Sequence, residues 1–266
     1  MIRTALALIL AAGCVPANER TVHRVDAVRV DTLRLEYSNA HLVRWGDAAL
    51  LVDSGASETV ERLDAELRAA GVDPADLRAV ILTHGHADHA GGAAHLAALG
   101  VPVIAGAGDR EALARGVNDA LCPTDSGARD RHAVDQAATF EPVVADHWID
   151  APTDLAPLVG VDGRLVPLPG HTPGSLVVTI GGAAFVGDLV RGEILSDGAD
   201  VHFYNCDLAD NRADLGRLLD VVAPRARRLF VGHFGPLRPA HVRDLLREDW
   251  GRPDRVSACA SPPDRS

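Results

Sequence analysis

The sequence predicts an α+β domain, and three observations carry that expectation. Residues 22–52 alternate apolar and polar positions through Val28-Arg29-Val30 and Leu33-Arg34-Leu35, then close on the apolar run Ala49-Leu50-Leu51-Val52. After Asp53-Ser54-Gly55 the spacing becomes helical, with Val60, Leu63, Leu67 and Ala70 on one face. Short apolar runs and helical segments then take turns along the chain, bounded by glycine and proline. With 266 residues, 47% of them hydrophobic, the chain can bury one large core.

The elements follow in order. Residues 22–52 read as antiparallel strands joined by turns, and the first helix has Ser57 as N-cap and Gly71 as its stop. Residues 78–83 form a buried strand, 90–99 a helix ended by Gly100 and Pro102, 101–105 a strand, and 109–115 a short helix. Residues 116–142 lack clear periodicity, and a stretch this long within a domain suits a lid or a tolerated surface insertion equally. Strands recur near 143–149, 164–168, 175–180 and 183–187. A helix over 210–222 turns Leu215, Leu218, Leu219 and Val222 inward, and Pro239 suits the first turn of a last helix running to Arg247. The domain is therefore expected over 22–250, after a linker at 14–21, with a polar, Pro-rich, disordered tail at 251–266. No repeat of solenoid period is visible.

The chemistry concentrates in His84-Gly85-His86-Ala87-Asp88-His89, directly after the apolar run Ala79-Val80-Ile81-Leu82. Alternation puts His84 and His86 on one side of an extended segment, while Asp88 and His89 arrive as the chain turns into a helix. Such a loop directs two imidazoles at one cation and a carboxylate plus an imidazole at a neighbouring one. These are ligands that zinc and similar divalent metals accept. Three later places repeat the layout of a short buried strand ending in a tight turn with one ligand. They are His171 in Pro169-Gly170-His171-Thr172-Pro173-Gly174, Asp188 in Gly187-Asp188, and His233 in Gly232-His233.

On these residues, together with Asp53 in Leu51-Val52-Asp53-Ser54-Gly55, the chain resembles the metallo-β-lactamase-fold superfamily of metallohydrolases. The matching stretch runs from about Asn39 to Pro236. The resemblance implies a four-layer αβ/βα sandwich with the metal site between the two sheet edges. It also implies that His84, His86 and His171 bind one metal, that Asp88, His89 and His233 bind the other, and that Asp188 bridges them. Asp53 matches a position that supports the ligands without touching metal. The cofactor implied is a pair of divalent ions, zinc foremost, with iron or manganese as alternatives. Phe234 stands where many relatives have glycine, which narrows the expected pocket mouth.

Two cations held ~3.5–4 Å apart can share a hydroxide near neutral pH and stabilise the oxyanion formed when it attacks a carbonyl. The expected activity is hydrolysis of an ester, thioester, lactone or related acyl bond of a small molecule. Asp188 and Asp88 are the catalytic carboxylates, the first bridging the metals and the second orienting the nucleophile. The ligand set resembles that of hydroxyacylglutathione hydrolases. Only 33 residues follow His233 here, so their C-terminal glutathione subsite is expected to be missing. A β-lactamase suits an exported protein, but true metallo-β-lactamases generally lack the bridging aspartate, and the lactonase branch keeps it. Two further readings stand beside hydrolysis. One is a persulfide dioxygenase with a single iron on His84, His171 and Asp188. The other is a catalytically silent metal fold that binds a partner.

Composition narrows the partners. The formal charge is −11 and no basic run occurs, which excludes a polyanion surface and with it a nucleic-acid partner. All 26 basic residues are arginine, which removes lysine Schiff-base chemistry. Arg3 and the apolar stretch from Ala5 to Ala12 read as an export signal over 1–13. Ala11-Ala12-Gly13-Cys14 resembles a bacterial lipoprotein site, with lipidation at Cys14 as the only membrane attachment. Cys122, Cys206 and Cys259 allow at most one disulfide and have no metal-finger spacing, and Cys206 reads as an incidental thiol. His202 and Tyr204 fall in a segment expected to pass near the site, as substrate contacts or structural residues. His23, His41, His95, His132, His147 and His241 match no ligand motif and read as surface or core residues.

Overall fold

In the computed structural model, described for residues 20–222 and 224–250, alternate residues of the strands part to opposite faces and sort the apolar side chains into three layers. The expected signal segment, Cys14, Cys259 and the tail at 251–266 lie outside the described residues. The first sheet begins with β1 (Thr21–Val25), β2 (Val28–Leu35), β3 (Ser38–Trp45) and β4 (Ala48–Val52), paired antiparallel in succession. After α1 (Val60–Ala69) the chain adds β5 (Val80–Ile81) parallel to β4. Helices α2 (Ala87–Ala90) and α3 (Ala93–Ala98) lead to β6 (Val103–Gly106), and α4 (Arg110–Arg115) and α5 (Ser126–Gln136) lead to β7 (His147–Ile149). Both strands extend the sheet in parallel, so its seven strands lie in chain order.

The second half comprises β8 (Thr153–Asp154), α6 (Ala156–Val159), β9 (Gly163–Pro167), β10 (Leu176–Ile180) and β11 (Ala183–Gly187). A small hairpin, β12 (Arg191–Gly192) with β13 (Ala199–Asp200), precedes α7 (Leu208–Val221), β14 (Arg228–Val231) and α8 (Pro239–Arg247). The second sheet has the order β14-β11-β10-β9-β8, with β14 parallel to β11.

The layering follows from the period of two. Leu42, Leu51, Val80 and Val103 pack with Leu63 and Leu67 of α1 and Leu96 of α3. Their neighbours Val43, Leu50, Val52, Ile81 and Ile104 face the other way, onto Leu165, Val178, Phe185 and Phe230 of the second sheet. Val166, Val177, Ala184 and Leu229 then meet Leu215 and Leu218 of α7 and Val242 and Leu245 of α8. Helix, sheet, sheet and helix make the four-layer αβ/βα sandwich. Burying the central strands on both faces removes large apolar areas from water at about 25 cal/mol per Å², which makes this packing the main stabilising term.

Five local readings are corrected. Residues 126–136, in the stretch read as aperiodic, form α5, whose N-terminus Asp125 caps by accepting from Ala128 N at 2.8 Å. Its only buried residue is Ala128, so no apolar stripe marked it. Ser57 opens a 3₁₀ turn rather than capping α1, and its hydroxyl donates to the Gly91 carbonyl. The helix expected over 90–99 is two short helices that begin at Ala87. Cys206, read as an incidental thiol, is bonded to Cys122 across 84 residues. Strand β1 also starts at Thr21, inside the segment read as linker. Among the described residues no helix is long and apolar enough to cross a membrane.

Candidate metal centre

Parallel strands deliver the functional side chains to one edge of the sandwich. Asp53 follows β4, His84 and His86 follow β5, Asp188 follows β11 and His233 follows β14, while His171 sits in the turn between β9 and β10. At β11 the register shifts between Phe185 and Gly187, and Gly187 takes φ +51°. A Cβ there would lie 2.5 Å from Thr83 Oγ1, so the tight turn into Asp188 needs glycine. Main-chain bonds lock the edge: Leu176 N donates to Thr83 O, and Asn39 N donates to Gly232 O, both at 2.7 Å.

All seven side chains of the sequence motif converge. His84, His86 and His171 form one group, and Asp88, His89 and His233 a second, with donor atoms in each group within 4.8 Å of one another. Asp188 lies between them: its Oδ2 is 3.7 Å from His84 Nε2, 3.8 Å from His171 Nε2, 3.3 Å from His89 Nε2 and 3.2 Å from His233 Nε2. Asp88 Oδ2 stands 3.4 Å from His89 Nε2 and 3.3 Å from His233 Nε2. Side-chain exposure separates the two carboxylates, 36% for Asp88 against 1% for Asp188.

Outer contacts decide which nitrogen faces inward in four of the five rings, while His171 Nδ1 is buried without a partner. His89 Nδ1 lies 3.1 Å from Asp53 Oδ2, and Asp53 Oδ1 accepts from Thr83 N at 2.7 Å. His233 Nδ1 meets the Tyr37 carbonyl at 2.6 Å, and His84 Nδ1 meets Thr83 Oγ1 at 3.1 Å. These contacts leave Nε2 to the centre in His84, His89 and His233. In His86 the order reverses: Nε2 is 3.0 Å from Asp119 Oδ1, leaving Nδ1, which is 3.1 Å from His171 Nε2. Fixing the tautomer from outside is how proteins hold imidazole ligands.

The electrostatics divide the rings. Burial, reinforced by His89, holds His84 well below the ordinary imidazole pKa, and burial with His86 does the same to His171. Burial therefore favours the neutral form of both rings. Burial also opposes charge on His89 and His233, but Asp188 and Asp88 overcome it, raising His89 well above its usual value and His233 to about 10. Burial works against the carboxylates too, yet His202, His233 and His89 hold Asp188 well below the usual range, and His89 and His233 do so for Asp88.

His84 Nε2 and Asp188 Oδ1 are buried without a hydrogen-bond partner. Buried polar atoms without partners cost stability unless something else engages them. Five imidazoles and two carboxylates arranged this way fit a pair of divalent cations, since nitrogen and oxygen donors suit zinc and its neighbours.

Two residues enter that sequence reasoning missed or placed loosely. Asp109 is buried and joins the two loops of the first group. Its Oδ2 accepts from Gly85 N at 2.7 Å and from Thr172 Oγ1 at 2.8 Å, and its Oδ1 accepts from Gly174 N at 2.8 Å. Burial pushes its carboxyl pKa up, against these three donors. A lone aspartate before a helix carries no signal of this role. His202, expected as a substrate contact or a structural residue, lies buried with Nε2 3.0 Å from Asp188 Oδ2. Tyr204, named with it, turns its hydroxyl away to the Ala128 carbonyl and Asp135. That supports a structural role for Tyr204, since its ring covers Leu121 and Ala128. His41 is a core residue, its Nδ1 3.0 Å from Thr32 Oγ1, with burial taking its pKa down to about 3.

A four-layer sandwich with two histidine-rich donor groups sharing one aspartate defines a metallo-fold of the αβ/βα class. The chain belongs to the metallo-beta-lactamase superfamily, whose family profile matches residues 33–233. It is 36% identical over 148 residues to a hydroxyacylglutathione hydrolase of Anaeromyxobacter dehalogenans, covering 55% of this chain and 43% of the relative. It is 32% identical over 200 residues to a hydroxyacylglutathione hydrolase of Alkalilimnicola ehrlichii, covering 73% of this chain and 60% of the relative. The chain thus spans about half the length of the curated relatives it matches. Among solved structures, a metallo-beta-lactamase with a HARLDQ motif from Cronobacter sakazakii superposes with TM-score 0.58 at 25% identity, over 77% of this chain and 74% of the other.

Proposed function

We propose that this protein is a metal-dependent hydrolase that cleaves an ester, thioester, lactone or related acyl bond of a small molecule, using two divalent cations, zinc foremost. The observation that carries the reading is Asp188 Oδ2, set between two complete donor groups. His84, His86 and His171 would hold one cation and Asp88, His89 and His233 the other, with Asp188 shared. Bound there, the cations would supply a water of lowered pKa and an electrophile for the acyl oxygen.

The chain's own residues do the rest. Asp53 fixes the His89 ring through Nδ1, and the Tyr37 carbonyl fixes His233, so neither ring turns during turnover. Asp88, the more open carboxylate, faces the solvent side and orients the attacking water through Oδ2. Phe203 and Phe234 flank His233, with ring centroids 6.2 Å from Phe203 to His233 and 6.4 Å between the two phenylalanines, and give the approach an apolar wall. An acyl substrate with an apolar portion suits that wall. The relatives' printed activity, hydroxyacylglutathione hydrolysis, supports a thioester as the first substrate to try. A single-iron dioxygenase shares the same donor motif, and metal analysis separates the two readings: one iron per chain favours the dioxygenase, two zinc ions the hydrolase. The Cys122–Cys206 bond supports work in an oxidising, exported location, where disulfides persist.

The test is a panel of chromogenic ester, thioester, lactone and β-lactam substrates, run on metal-stripped and metal-reloaded protein. Turnover of an acyl substrate that disappears on stripping and returns on reloading is expected. Turnover that survives complete metal removal rejects the scheme.

A further inference from the structure

We propose that His202 is an eighth donor to the cation centre, a ligand that the HxHxDH loop and its three partner turns do not account for. The inference rests on the cation pair proposed above and names a residue of this chain that joins it.

His202 is built in the same manner as His233. The Nδ1 of His233 faces the Tyr37 carbonyl at 2.6 Å, and its Nε2 lies 3.2 Å from Asp188 Oδ2. In His202, Nδ1 faces the Tyr204 carbonyl at 3.1 Å, and Nε2 lies 3.0 Å from the same Asp188 oxygen. With Nδ1–H donating to that carbonyl, Nε2 presents a lone pair inward, the tautomer a ligating histidine needs. The Tyr204 N–H also donates to this nitrogen, at the longer distance of 3.3 Å, in the other tautomer, which puts the proton on Nε2.

Ring spacing agrees. Among the motif histidines, centroids are 4.7 Å apart for His84 and His86, 4.8 Å for His86 and His171, and 5.3 Å for His89 and His233. His202 stands 4.9 Å from His171 and 5.1 Å from His233, one ring from each donor group. His171, Asp188 and His202 themselves make a set with donor atoms within 4.8 Å.

Direction decides between a ligand and a plain hydrogen-bond donor to Asp188. Although Nε2 of His202 is 3.0 Å from the carboxylate, it is buried and lacks the alignment of a hydrogen bond. His84 Nε2 is in the same condition, 3.7 Å from that oxygen and without a partner. Two groups that share a cation point past each other towards a common centre, whereas a donor points at its acceptor.

The backbone that carries His202 is clamped from outside. Thr124 N donates to the Phe203 carbonyl at 2.9 Å, Thr124 Oγ1 to the His202 carbonyl at 2.6 Å, and Asn205 N to the Cys122 carbonyl at 2.8 Å. The Cys122–Cys206 bond closes that ladder, and Asn205 Nδ2 donates to the Gly170 carbonyl, beside His171. An irregular segment is thereby held rigid where a ligand must not wander.

The test is proton and nitrogen NMR of full-length protein loaded with Co²⁺ and labelled with ¹⁵N-histidine, counting imidazoles with large contact shifts. Six are expected: His84, His86, His89, His171, His233 and His202. His202→Gln should lose one and leave five. Five in the unsubstituted protein overturns the assignment of His202 and leaves the proposed function standing, and that count needs no variant to fold. Six in both proteins also overturns it, because the sixth ring is then another histidine. No contact-shifted ring at all overturns the cation centre itself.

Discussion

Replacing Asp109 with alanine removes a side chain that ties the backbone of the His84–His86 loop to the His171 turn. Three donors lose an acceptor: Gly85 N, Gly174 N and the Thr172 hydroxyl. Thr172 keeps Ser175 Oγ at 3.0 Å, so its loss is partly made good. The two backbone N–H groups are buried and have no substitute, and each such orphan costs about 1–3 kcal/mol. Asp109→Ala should therefore destabilise the metal-free protein by ~2–6 kcal/mol. Asp109→Asn keeps one acceptor oxygen and turns its amide towards one donor, so it should cost only about 1–3 kcal/mol. Equilibrium urea unfolding with the disulfide intact reads both values. Because the freed loops carry His86 and His171, competition titration with a zinc chelator should show the weaker of two binding steps lost before the other. An Asp109→Ala protein within about 0.5 kcal/mol of the parent would refute the reasoning, since surface-like substitutions behave that way.

Other expectations follow the same logic. Asp53→Ala frees the His89 ring without removing a ligand, and should weaken metal binding ~10–100-fold in the same competition titration. Cation binding should release protons, because His89 and His233 are held protonated at neutral pH and ligate only when neutral. Affinity should thus rise with pH up to about 10, the value at His233, and calorimetry in buffers of different ionisation enthalpy reads the protons released. In the metal-free protein the sign is opposite. A raised His233 contributes stability that is complete below the ordinary imidazole pKa and is lost as pH climbs through about 10. Removing the Cys122–Cys206 link, which spans 84 residues, by Cys122→Ser with Cys206→Ser should cost about 4–5 kcal/mol in thermal or urea unfolding.

The sandwich was legible because its first strands alternate, its later ones are short apolar runs, and both stop at Gly- or Pro-marked turns. Val52, Leu82, Val186 and Val231 are each followed within two residues by a side chain of the centre. A ligand displayed at a strand end leaves a local trace that a single sequence can reveal. Asp109 leaves none, because its partners are the amides of Gly85 and Gly174, 24 and 65 residues away. His202 was visible only as a neighbour of the site. It rides on irregular backbone whose shape is set by Cys122, Thr124 and Gly170, and disulfide connectivity cannot be read from spacing. Helix α5 escaped for the converse reason, since a helix that buries little carries no periodic signal.

Anomalous diffraction at the zinc edge, from crystals of the zinc-loaded protein, tests the central claim most directly. Two peaks are expected, one within about 2.0–2.2 Å of donors from His84, His86 and His171, the other at that distance from Asp88, His89 and His233, with the Asp188 carboxylate touching both. A single peak, or peaks away from Asp188, would contradict the account.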